Sequence, residues 1–131
     1  MKYIYLLGIL FTCNLSFAQP NWEETSCGDD PQTFEMANLL EEGNVVLLNF
    51  VNTWSAVCSV YTDPIIDLYA NYGSGEDGVK FFNFVTKNSD LVAVDCAEAL
   101  AWNETVGVEF PSFADILDVH EVYADLYGWG V

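Results

Sequence analysis

The sequence predicts an α/β layer fold in which a central, mostly parallel sheet is flanked by helices. Val45–Val51 is a continuous apolar and β-branched run, the pattern of a strand covered on both faces, and Val79–Thr86, with Phe81, Phe82, Phe84 and Val85, reads as a second buried strand. Each run is followed by a stretch of helical spacing, Ser55–Tyr72 and Leu91–Thr105. That alternation argues for parallel strands joined by right-handed crossovers. A chain of 131 residues, 52% of them hydrophobic, can build one core, so one domain is expected.

The N-terminus carries Lys2, the apolar run Ile4–Phe11 and Ser16-Phe17-Ala18 before Gln19. Charge, greasy core and small residues in that order are the pattern of a secretory signal over residues 1–18, cleaved after Ala18. The apolar run is shorter than the roughly 18 residues that cross a bilayer, so no membrane span is expected once the signal is removed. Residues 19–32 are polar, with turn chemistry at Cys27-Gly28-Asp29-Asp30-Pro31, and form an irregular opening segment ahead of a domain over 33–131.

Within that domain, Thr33–Glu42 predicts a short strand or turn and then one or two helical turns closing at Gly43-Asn44. Val57, Val60, Tyr61, Ile65, Leu68 and Tyr69 are spaced for the buried face of the first long helix, with a kink at Pro64 and an end at Gly73-Ser74-Gly75. Asn88-Ser89-Asp90 offers a cap for a second helix from Leu91, which Gly107 stops. Val108–Phe113 is a short extended piece, and Val119–Tyr127 a short helix ending at Gly128.

Removing the signal leaves Lys80 and Lys87 against 20 carboxylates, with no arginine anywhere. Such a field argues against nucleic-acid and anionic-membrane partners. It also repels itself until salt screens it. His120 is the only histidine, so no histidine metal cluster or catalytic dyad can form, and it is expected at the surface. Asp115, Asp118, Glu121 and Asp125 have no glycine-centred calcium loop around them. Phosphate-binding, serine-elbow and haem motifs are absent, and neither metal nor cofactor is expected. Cys13 leaves with the signal, so Cys27, Cys58 and Cys96 remain, an odd number.

The strand exit Asn52-Thr53-Trp54-Ser55-Ala56-Val57-Cys58, feeding a helix that contains Pro64, resembles the thioredoxin-like superfamily. The order of elements is most similar to the envelope thioredoxin-like thiol-disulfide reductases and their peroxiredoxin relatives, the alkyl hydroperoxide reductase and thiol-specific antioxidant domains. The resemblance covers Gln32 to Val131. In that family a tryptophan precedes a cysteine, two variable residues and a second cysteine. The first cysteine attacks from a helix N-terminus, where free N–H groups and the dipole favour the thiolate, and the second resolves the mixed disulfide.

Carried over, Ser55 stands in the attacking position and Cys58 in the resolving one. A serine hydroxyl is not ionised at neutral pH, so the resemblance implies that the dithiol cycle is lost; serine is also simply a good helix cap. Cys58 is then the thiol expected to react if any does, and Trp54 is expected to line a substrate groove. Cys27 and Cys96 are possible extra thiols: Cys27 is the favoured partner for a bridge to Cys58, and Cys96 is expected to be an inert core residue.

The resemblance allows two placements for the family's cis-proline loop. Phe110-Pro111-Ser112-Phe113 is one; the other, which we favour, falls after Tyr127-Gly128, beyond Val131. The sequence would then be a piece of a longer protein, or completed by another chain, with apolar surface exposed around Phe81, Phe84 and Trp129. The function implied is that of a secreted or periplasmic thioredoxin-like protein with weak or absent redox activity, whose partners are thiol or disulfide proteins of the cell envelope. A non-enzymatic module that binds a peptide or partner beside Trp54, and a fragment without independent function, are the alternatives.

Overall fold

A computed structural model describes residues 20–73 and 78–128; the signal segment, Ser74-Gly75 and Trp129 lie outside the described residues. The chain opens with a hairpin of β1 (Glu23–Thr25) and β2 (Thr33–Glu35), followed by α1 (Met36–Glu41). It continues through β3 (Val45–Val51), α2 (Ala56–Tyr72), β4 (Val79–Val85), α3 (Cys96–Val106), β5 (Ser112–Phe113) and α4 (Leu117–Tyr127). The main sheet has the order β3-β4-β5, all parallel, with Asn49 opposite Asn83 and Asn83 opposite Ser112.

The two long strands sit where their apolar runs place them because β4 is central and covered on both sides. Side chains alternate across a strand, so Phe82 and Phe84 face one way and Phe81, Asn83 and Val85 the other. The first face packs against Trp22, Met36, Leu39, Phe113, Ile116, Val119 and Tyr123, drawn from the opening segment, α1, β5 and α4. Edge-on contacts of Trp22 with Phe82 and Phe84, at 5.6 and 5.2 Å between centroids, fix that layer. The second face carries α2 and α3.

Several expectations are corrected. The segment 19–32 is not irregular throughout: it supplies β1, which pairs antiparallel with β2, and the core residue Trp22. The second long helix starts at Cys96 rather than Leu91, because Asp95 caps it by accepting from Glu98 N at 2.8 Å, while Asn88 accepts from Asp90 N within a turn. Leu91 adopts a left-handed φ of 61°, which a helix start cannot contain. Phe81 and Phe84 are buried rather than exposed, since both faces of β4 are covered. The Phe110–Pro111 bond is trans, like every other peptide bond among the described residues.

The largest correction concerns α2. Its buried side is Cys58, Thr62, Ile65, Ile66 and Tyr69, while Val57, Val60, Tyr61 and Leu68 face outward. Apolar residues cover an arc of the helix wider than the face it buries, with Ser59, Asp63, Asp67 and Asn71 on the remaining side, so spacing alone did not choose which part of that arc turns inward. A hydrogen bond chose it: Thr62, fully buried, accepts from Asn49 Nδ2 at 3.1 Å and donates to the Cys58 carbonyl at 2.8 Å. The helix also runs unbroken through Pro64.

That bond belongs to a buried chain of amides crossing the second face of the sheet. Asn49 Nδ2 also donates to Asn83 Oδ1 at 3.0 Å, Asn83 Nδ2 to Asn103 Oδ1 at 3.0 Å, and Asn103 Nδ2 to Ser112 Oγ at 2.7 Å. Five elements, α2, β3, β4, α3 and β5, are thereby tied side chain to side chain. Replacing Asn83 by alanine leaves the Asn103 carbonyl without its donor and opens a cavity. Urea unfolding of Asn83→Ala is expected to show a loss of about 3 kcal/mol; a loss below about 0.5 kcal/mol, within the ordinary range of surface substitutions, contradicts the role given to the chain.

Candidate functional site

The end of β3 and the start of α2 are held from β4. Thr86 N donates to Val51 O at 2.8 Å, the Thr86 hydroxyl donates to Asn52 Oδ1, and Thr53 N donates to Lys87 O at 3.0 Å. Ser55 N closes the turn on Asn52 O, and Ser55 then caps α2 as its Oγ accepts from Cys58 N at 3.4 Å. Residue 58 thus lies one turn inside the helix from residue 55. Cys58 is half-buried and packs against the cluster of Val51, Phe81 and Val85. Trp54 stands beside the cap, 54% exposed. The structure therefore brings Trp54, Ser55 and Cys58 together.

Cys27 and Cys96 do not join them. They are bonded to each other across 69 residues, with Cα atoms 5.3 Å apart. Cys58 is the free cysteine among the described residues. Cys27 is thus not available as a partner for Cys58, and Cys96 is not the inert core residue expected. Cys96 is the exposed first residue of α3, and Cys27 is brought to it because Cys27 N donates to Ser112 O at 2.8 Å on β5. The sequence held one sign of this: Asp95 as a helix cap puts Cys96 at a helix start, away from the core.

An open cavity of about 450 Å³ lies beside Cys27, between the β1–β2 turn and Asn103, Phe110 and Ser112, rather than at Trp54. No group of three or more His, Cys, Asp or Glu is placed to hold a metal among the described residues. A single thiol at position 58 can be alkylated or form a mixed disulfide. Among the described residues it has no second thiol to complete a dithiol cycle while Cys27 and Cys96 remain bridged.

One carboxyl and one imidazole group on the opposite face are perturbed. His120, half-buried on α4 with its ring 5.9 Å from Phe50, is held below the usual histidine value of 6.5, by burial first and by the charge of Lys87, with Glu121 opposing. Burial, then Asp118 and Asp115, raise Glu24.

With this geometry in place, comparison with known proteins decides the family. A family profile described as Redoxin matches residues 16–128. The chain belongs to the Redoxin family. No curated protein matches it. Among solved structures, it is similar to a candidate protein disulfide isomerase from Bacteroides thetaiotaomicron (22% identity, TM-score 0.60), over 76% of this chain and 58% of that one. It is also similar to a candidate thiol:disulfide interchange protein DsbE from Chlorobium tepidum (19% identity, TM-score 0.58), over 85% of this chain and 67% of that one. The likeness establishes a thioredoxin-like Redoxin fold, and the chain spans 58% of the length of the first of these relatives.

Cys96→Ser removes a cross-link closing a loop of about 70 residues, which on chain-entropy grounds is worth about 4 kcal/mol. The expected result is a matching loss in urea stability, reproduced by dithiothreitol on the unmodified protein; stability unchanged by reductant contradicts the pairing. For His120, the folded-state pKa lies below the unfolded one, so folding favours the neutral ring. Its contribution to stability is complete above pH 6.5 and is lost as the pH falls through 6.5 towards the lowered folded value. The urea midpoint of His120→Gln is accordingly expected to fall less than that of the parent as the pH drops below 6.5; parallel curves contradict this.

Proposed function

We propose that this chain is an extracytoplasmic Redoxin-family protein that keeps the architecture of a thiol–disulfide oxidoreductase and has lost its dithiol cycle. The observation that carries the reading is Ser55: it occupies the capping position one turn ahead of Cys58, where the resemblance puts the attacking cysteine, and its Oγ accepts from Cys58 N. The signal pattern of residues 1–18 supports an extracytoplasmic location. So does the Cys27–Cys96 bond, because disulfides persist in oxidising compartments. Thiol or disulfide proteins of the cell envelope are the partners that such a location and ancestry favour.

The exposed indole of Trp54 beside the cap favours a second use of the same place, holding a partner polypeptide without exchange chemistry. An insulin-reduction assay with dithiothreitol separates these from an active enzyme. The parent is expected to give no turnover above the reductant alone, and Ser55→Cys to gain turnover that disappears again when Cys58→Ser is added. Turnover by the parent that is abolished by Cys58→Ser overturns the proposal.

A further inference from the structure

The disulfide stands apart from the place where Trp54, Ser55 and Cys58 meet. It lies beside β5, at the opposite end of the β3-β4-β5 order from β3, and ties the turn of the opening hairpin to the first residue of α3. The base of that hairpin is anchored in the core. Trp22 is buried there, and Phe34 packs against Phe82 and Phe113 at 4.9 and 6.0 Å between ring centroids. The tip has no such packing: residues 28–33 are all exposed. Its turn closes on itself, as Ser26 N donates to Gln32 O at 2.9 Å and Gln32 N to Ser26 Oγ at 3.0 Å. The tip is tied to the body of the domain through Cys27, by its N–H on Ser112 O and by its sulfur on Cys96.

Between the tip and α3 lies the open cavity of about 450 Å³, and its walls carry like charge. Asp30 comes from the tip, Glu104 from α3 and Glu109 from the loop that follows; no lysine, arginine or histidine is among the described residues that line it. A cavity of this size sets the two walls within about one Debye length, roughly 10 Å at 0.1 M salt, so the carboxylates push the tip away from α3. The bond that opposes this push is accessible. Cys96 is exposed, and Cys27 is half-buried on the cavity wall. Exposed disulfides are the ones that thiolates reach and open.

We propose that Cys27–Cys96 is a redox site in its own right, opened by a dithiol, and that its reduction releases the hairpin tip from α3. The inference does not rest on Ser55. One thiolate of the dithiol attacks a sulfur of the pair, so that a mixed disulfide forms as the Cys27–Cys96 bond breaks, and the displaced sulfur takes up a proton. The second thiol of the reductant then displaces the remaining cysteine. The dithiol ends as a disulfide, and Cys27 and Cys96 end as two thiols carrying its two protons. With the tip released, the cavity becomes a cleft open over Asn103 and Ser112. Because repulsion between carboxylates drives the movement, salt restrains it.

Amide hydrogen exchange on the native protein, without denaturant, before and after excess dithiothreitol, tests this. After treatment Cys27 and Cys96 are expected to alkylate, and the amides of Ser26, Cys27 and Gln32 to exchange at least about tenfold faster while those of β3 and β4 keep their protection. In the reduced protein, raising NaCl from about 0.05 to about 0.5 M, or substituting Glu104→Gln, is expected to return part of the lost protection. A pair that stays bonded until urea unfolds the chain overturns the proposal. So does a reduced protein whose hairpin amides exchange no faster than before, or one in which β3 and β4 quicken equally, since the whole domain is then loosened. Acceleration indifferent to both salt and Glu104→Gln overturns it as well.

Discussion

The pairing of Asn49 with Asn83 in the middle of the sheet is the interaction on which the other positions depend. Two amides buried among Phe81, Val85 and Val51 must be satisfied, because an unpaired buried amide costs about as much as a large part of a domain's net stability. After the pairing each amide still has an N–H donor to place. Asn49 uses its spare donor on Thr62, which fixes the rotation of α2; Asn83 uses its spare donor on Asn103, which fixes α3, and Asn103 in turn reaches Ser112 on β5. The apolar groups on this face fill volume, whereas the amides choose which face of each helix is turned inward. In α2, where apolar residues cover a wider arc than the helix buries, the bond to Thr62 selects the part of that arc turned inward.

From that constraint the site follows. Thr62, placed by Asn49, donates to the Cys58 carbonyl, so the first turn of α2 is held to the sheet from beneath while Ser55 caps it from the end. The same framework would hold a cysteine at position 55 as well as a serine. What the chain has kept is the geometry that presents a helix N-terminus beside an exposed tryptophan; what it lacks is a thiol at that N-terminus. Its bonded pair, Cys27 and Cys96, lies at the β5 end of the amide chain, where it joins the opening hairpin to α3.

Much of this was legible in the residues. β3 and β4 were, because continuous β-branched and aromatic runs suit only strands covered on both sides, and Ser55 and Cys58 were, because spacing along one helix end is local. The buried face of α2 was not, since periodicity cannot select among apolar faces. The disulfide was not, since pairing across 69 residues is a property of the assembled fold. The amide chain is readable in principle: Asn49 and Asn83 each lie four residues into their strands, flanked by apolar residues, and the parallel register sets them opposite each other. A polar residue at the same depth in two buried strands is a signal of pairing, not an interruption.

The account turns on Cys58 being the one thiol among the described residues while Cys27 and Cys96 are bridged. Alkylation of the unreduced protein in denaturant, followed by peptide mass mapping, measures this directly. The predicted result is label on Cys58, with the peptides of Cys27 and Cys96 recovered as a linked pair. Finding Cys58 unlabelled and bridged to Cys27 or Cys96 would contradict it.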